Sequence, residues 1–221
     1  MTAVRRSGRD ERRRGLGQNF LQTGWADRFL GTADLHQGQL VVEVGAGTGS
    51  LTLALADLGV RVIAVEADPV WAERLGRLVR ETKRKSVEVV CGDFMSFRLP
   101  EQPFRVMASP PFGITTALLH LLLDDPSSAL VRADLIVQWE VALKRSTSPP
   151  TNLLSTSWAP WWTFQTGQRL PAAAFRPVPR VDGGVLVINR REPPLLPIFI
   201  AVPYAQFVRA QWPFGSSMPV L

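Results

Sequence analysis

The sequence predicts an α/β fold with a doubly wound, mostly parallel sheet. Two observations carry that expectation. Short β-branched apolar runs alternate with segments of helical spacing from Leu40 onward, the pattern of parallel sheets with helical crossovers. A glycine turn, Glu66, Asp93 and Ser109 each fall where a predicted strand ends, the edge at which such sheets bind ligands.

Residues 1–15 carry Arg5, Arg6, Arg9, Arg12, Arg13 and Arg14 against Asp10 and Glu11, with no apolar periodicity. They read as a basic flexible arm: a solvated tail, or one that contacts nucleic-acid phosphates. Residues 40–44 form a predicted strand running into Gly45-Ala46-Gly47-Thr48-Gly49, and 51–58 a helix stopped by Gly59. Residues 60–65 are a second strand, followed by Glu66; Pro69 suits the first turn of a helix reaching about Glu81. Residues 87–91 are a third strand ending at Gly92-Asp93, and 104–108 a fourth ending at Ser109. A helix over 115–123 and a fifth strand over 134–138 follow, then late strands over 162–170 and 185–189 joined by a proline-rich loop. After Arg191, Pro193, Pro194, Pro197 and Pro203 punctuate an apolar stretch, and a helix is expected to start within 204–212. The expected domains are the arm 1–15, one α/β domain over 16–192 and a short appendage over 193–221.

At 221 residues, 46% hydrophobic and 20% charged, the chain has the composition of an ordinary globular protein. The net charge of +6 favours a polyanionic partner. Cys91 is the single cysteine, which excludes a disulfide within the chain and fits a reducing, cytoplasmic setting; it is expected in the core. The arginine-rich N-terminus lacks the apolar region of a secretory signal, and Leu195–Val202, interrupted by Pro197, is too short to span a bilayer. No membrane and no metal is expected, and the chain is expected to be a monomer. His36 and His120 read as structural or surface residues. Trp158, Trp161 and Trp162 read as core or lid packing, with base stacking by one of them left open, and Lys144 and Arg145 are expected to face phosphates.

The glycine spacing is GxGxG, not the GxGxxG of dinucleotide folds. Glu66, at a strand end, suits acceptance of both ribose hydroxyls. Asp93 suits acceptance from an adenine amino group, or the N-cap of a helix. Together they imply an adenosine-containing cofactor. The tetrapeptide Ser109-Pro110-Pro111-Phe112 suits methylation of an amino group on a base. Such an amine is a weak nucleophile because its lone pair is delocalised into the ring. Phe112 would stack on the base while the Ser109 hydroxyl and Pro110 carbonyl accept the amine hydrogens. No general base is evident, which suits an in-line displacement driven by positioning.

Read together, Gly17-Gln18-Asn19-Phe20-Leu21, the glycine turn, Glu66, Gly92-Asp93, Ser109-Pro110-Pro111-Phe112, Gln138-Trp139-Glu140-Val141-Ala142 and Phe175-Arg176-Pro177-Val178-Pro179-Arg180-Val181-Asp182 resemble one family. It is the ribosomal RNA adenine N6-methyltransferases, in particular the Erm branch that confers macrolide, lincosamide and streptogramin B resistance. The resemblance implies a Rossmann-like class I methyltransferase fold with a seven-stranded sheet, helices on both faces, and a rudimentary C-terminal helical appendage. It implies S-adenosyl-L-methionine as donor and an adenine of large-subunit (23S) ribosomal RNA, free or in a pre-ribosomal particle, as acceptor. It assigns Gln18, Asn19, Leu21, Gly45, Ala46, Gly47, Glu66, Ala67, Asp93, Phe94 and Ser109 to the donor. It assigns Ser109, Pro110 and Phe112 to catalysis, and Arg12, Arg13, Arg14, Phe112, Lys144, Arg145 and Phe175 to RNA, with Phe175 closing the other face of the target base. Two departures stand out: the family usually has Asn where this chain has Ser109, and it closes with a small helical domain of which only the start is visible. Two other readings stand beside this one. One is methylation of a different amino group, on small-subunit RNA, a DNA base or a basic protein. The other is a nucleic-acid-binding relative without turnover.

Overall fold

Among residues 19–212, which the computed structural model describes, the chain opens with β1 (Phe20–Leu21), α1 (Thr23–Leu30), β2 (Leu40–Val44), α2 (Ser50–Asp57), β3 (Arg61–Glu66) and α3 (Pro69–Glu81). It continues through β4 (Val87–Cys91), β5 (Phe104–Ala108), α4 (Thr115–Leu123), β6 (Leu130–Gln138), α5 (Trp139–Arg145) and α6 (Leu153–Trp158). Then come β7 (Trp162–Leu170), β8 (Phe175–Arg176), β9 (Gly183–Arg190) and α7 (Ala201–Gln211). The seven-stranded sheet has the order β4-β3-β2-β5-β6-β9-β7. β9 alone runs opposite in direction to the other six strands. The chain moves outward from β2 to β4, then restarts at β5 on the other side of β2. That switch point opens a crevice outside the carboxyl ends of β2 and β5.

Alternation along β2 builds two apolar layers, because successive side chains face opposite sides of a sheet. Leu40, Val42 and Val44 join the layer containing Leu118, Leu122 and Trp158, from α4 and α6. Val41 joins the other, with Phe29, Leu55 and Leu75 from α1, α2 and α3. α3 shows why these residues form a helix. The Asp68 carboxylate accepts from the Val70 N–H at 2.8 Å, Pro69 occupies the first turn, and Ala72, Leu75 and Val79 form the buried stripe.

Most predicted elements appear within a residue or two of their expected bounds. The fifth strand is longer than expected: β6 begins at Leu130, whose side chain and that of Ala133 are already buried. The appendage helix starts at Ala201, with Pro203 tolerated in its first turn, and Phe199, Val202 and Phe207 around it are exposed. Not anticipated were α1, α5, α6 and the two-stranded antiparallel sheet that pairs β1 with β8. One expectation is corrected: Cys91 is exposed, not in the core, because β4 is an edge strand. The three tryptophans pack in the core as expected, which closes the alternative of base stacking. All are buried, and their indole N–H groups donate to the Asp124 carboxylate (2.7 Å), the Leu196 carbonyl (3.0 Å) and the Leu123 carbonyl (3.2 Å). No described helix is long and apolar enough to cross a membrane. The expected arm, including Arg12, Arg13 and Arg14, and Gln18 lie outside the described residues.

Candidate active site

The glycine turn is fastened to the end of the neighbouring strand. The N–H groups of Gly45 and Ala46 donate to the Val65 carbonyl (2.9 and 3.3 Å), and that of Gly47 donates to Glu66 Oε2 at 2.7 Å. Gly45 and Gly47 have φ of +74° and +51°, which side chains rarely tolerate. A Cβ on Gly45 would meet nothing within 4 Å, so its backbone borders open space. A Cβ on Gly47 would lie 2.7 Å from the Phe20 ring, so that ring depends on a bare backbone beneath it. Phe20 also packs against Trp71, at 5.1 Å between centroids.

Beyond these loops lies a cavity of about 280 Å³, bordered by five stretches of chain that are far apart in sequence. Of the predicted donor residues it brings together Asn19, Gly45, Gly47, Glu66, Ala67, Asp93, Phe94 and Ser109, with Pro110 beside them. Glu66 is buried, and its Oε1 accepts from the Asp68 N–H at 2.9 Å. Each of its oxygens has one lone pair left for a ligand. Asp93 both borders the cavity and caps the following turn, accepting from the Met95 N–H at 2.9 Å. A bare-backbone floor with two carboxylates at its side fits an adenosine-bearing group.

Leu21 and Ala46 pack in the core and do not border the cavity. Adjacent strand residues face opposite ways, so with Leu21 turned inward it is Phe20 that reaches the cavity. Sequence reasoning also missed Pro111 and Ile114 as lining residues. It gave no role to Glu43, although a carboxylate inside the apolar run Leu40–Val44 was a signal. The buried Glu43 accepts from the Thr52 hydroxyl at 2.6 Å, tying β2 to α2. Burial, assisted by the nearby Glu66 charge, pushes its carboxyl up to about 8.

Past the end of β5, Pro110 is buried and Ser109 partly exposed. The proline pair leads into a short 3-10 turn over Phe112–Ile114, closed by the Ile114 N–H to the Pro111 carbonyl at 3.1 Å. Phe112 is half-buried and does not itself border the cavity, which its neighbours Pro111 and Ile114 line. Its ring meets Phe175 edge-on, at 6.2 Å and 75°. Phe175 itself is a correction, since it is buried in the core against Gly183 and Ile136 and does not cover the cavity. It braces Phe112 from behind. Arg145 is a second correction. Its guanidinium donates to Asn152 and lies over the Trp158 ring at 5.8 Å, where burial lowers its pKa. Lys144 remains exposed.

The family model for ribosomal RNA adenine dimethylases matches residues 9–212. The chain is 44% identical over 182 residues to an rRNA adenine N-6-methyltransferase of Corynebacterium diphtheriae, covering 82% of this chain and 70% of that one. It is 40% identical to the mycinamicin-resistance protein MyrB of Micromonospora griseorubida, covering 88% of this chain and 61% of that one. It thus spans about two thirds of these relatives' length. The crystal structure of the 23S rRNA methyltransferase ErmE superposes with a TM-score of 0.76 at 30% identity, over 86% of this chain and 78% of that one. The cleft at the β2/β5 switch point and these matches agree, and the chain belongs to the ribosomal RNA adenine dimethylase family of methyltransferases.

Proposed function

We propose that this chain transfers a methyl group from S-adenosyl-L-methionine to the exocyclic N6 of an adenine in large-subunit (23S) ribosomal RNA, and so confers macrolide, lincosamide and streptogramin B resistance in the cytoplasm. The observation that carries the reading is that Glu66 and Asp93 line the same cavity as Ser109 and Pro110. A nucleoside held by the two carboxylates therefore shares one space with an amine held by the hydroxyl and the carbonyl. When bound, the donor supplies a methyl activated by its sulfonium. Glu66 accepts from the ribose hydroxyls and Asp93 from the adenine amino group. Ser109 Oγ and the Pro110 carbonyl accept the two N–H bonds of the target amine, drawing its lone pair out of conjugation with the ring. The target base leaves its stack to enter, and Phe112, braced by Phe175, lies against its face. Positioning accounts for the acceleration, and the amine proton passes to solvent once the N–C bond has formed. Similarity to a mycinamicin-resistance protein and to a 23S rRNA methyltransferase supports the large subunit as target.

Mass mapping and primer extension of ribosomal RNA from cells with and without the protein test the proposal, alongside macrolide susceptibility. One methylated adenine in large-subunit RNA and raised resistance are expected. Modification confined to small-subunit RNA or DNA, or none at all, would overturn it.

A further inference from the structure

The segment Gln138–Ala142 follows a strand that overshoots its neighbour. The last β5–β6 pair is Ala108 with Leu135, yet β6 continues to Gln138, which pairs with Gly183 of β9. Trp139 therefore follows the carboxyl end of β6, the strand beside the one that delivers Ser109, and lies three residues beyond the level of Ser109. Its ring rests on bare backbone: a Cβ on Gly184 would come within 2.5 Å of the indole. Above the ring lies the Arg169 guanidinium, its carbon 5.4 Å from the centroid. Arg169 Nε and Nη2 donate to Asp182 Oδ2 at 3.0 and 2.8 Å. Asp182 in turn accepts from the Ala172 N–H at 2.8 Å, and its own carbonyl accepts from the Trp139 N–H at 3.0 Å. The Ala172 N–H and Arg169 hold its carboxyl below the usual carboxylate range. Both halves of the stack are thus fixed by one residue, while the Arg169 side chain stays 58% exposed. Arg176, in β8, and Arg180, in the segment leading to Asp182, are also exposed.

We propose that the Trp139–Arg169 stack is a binding platform for an unpaired nucleobase flanking the target adenine. A guanidinium held above an indole by its bonds to Asp182 presents a planar cation on which a base stacks, and the neighbouring arginines meet the adjoining phosphates. A strand that surrenders one base to the crevice leaves its neighbour unstacked, and this platform receives it. The inference rests on the RNA reading above.

The test uses a hairpin RNA carrying the mapped adenine, and the same hairpin with an abasic residue at each neighbouring position. Arg169→Lys, which keeps the charge and loses the plane, and Trp139→Leu are expected to raise the RNA KM about tenfold, the worth of one stacked base. Neither is expected to change kcat or S-adenosyl-L-methionine affinity beyond twofold. The abasic hairpin should cost the wild type the same factor and the variants nothing more. If Arg169→Lys matches the wild type, or the two effects add in full, the platform is wrong while the proposed activity stands. If the wild type leaves the RNA unmethylated although it binds the donor, the activity itself fails and the platform with it.

Discussion

Ser109 and Glu43 show how much one side chain decides. In the proposed site Ser109 would offer the target amine a single short acceptor where the family resemblance leads one to expect an amide, so Ser109→Asn is expected to speed methyl transfer and raise the dimethyl share. Counting mono- and dimethyladenosine in RNA treated with both proteins checks this, and equal rates with equal ratios would refute it. Glu43 controls stability through a proton. Its folded value, about 8, lies above the ordinary 4.5. Between those values the unfolded chain ionises while the folded chain keeps its proton, so stability falls as pH rises and levels off above about 8. Glu43→Gln keeps an acceptor for Thr52 and removes that slope. The variant should match the wild type near pH 5 and exceed it near pH 9 by on the order of 4 kcal/mol. Parallel stability curves across that range would show that the group carries no such load. The position of Glu43 in a buried strand was visible in the sequence. Its bond to Thr52 was not, since that needs α2 laid against β2.

At the scale of elements, the smallest sheet links the two halves of the site. β1 carries Phe20 to the cavity, and its pairing of Leu21 with Phe175 sets the edge-on contact with Phe112. Phe175→Leu keeps most of the buried volume and removes the edge-on ring. It should cost less than about 1.5 kcal/mol of stability and slow methyl transfer several-fold, with donor affinity unchanged. Thermal melts, single-turnover rates and donor titration measure the three, and an unaltered rate would remove Phe175 from the acceptor site. Neither strand was legible in the sequence, because two residues have no periodicity and their partners come from opposite ends of the described chain. The parallel strands were legible because burial on both faces leaves continuous β-branched runs. The helices α5 and α6 were not, at seven and six residues too short to show a full stripe. The same blindness placed Arg145 among phosphates, for nothing local announces that Asn152 and Trp158 enclose it.

For the whole molecule, charge is the remaining guide. The net charge of +6 includes the six arginines of residues 1–14, which lie outside the described structure. Removing residues 1–14 should weaken RNA binding and flatten the plot of log affinity against log salt by about 0.7 for each phosphate the arm would neutralise. Coincident lines for the two proteins across a salt series would dismiss the arm as an RNA-binding segment. The fold also supplies its own reporter. Cys91 is the chain's single thiol, it is exposed, and it immediately precedes Gly92 and Asp93 on the cavity wall. A maleimide dye coupled there would label one atom of the native protein, and its emission would follow donor occupancy without any engineered substitution.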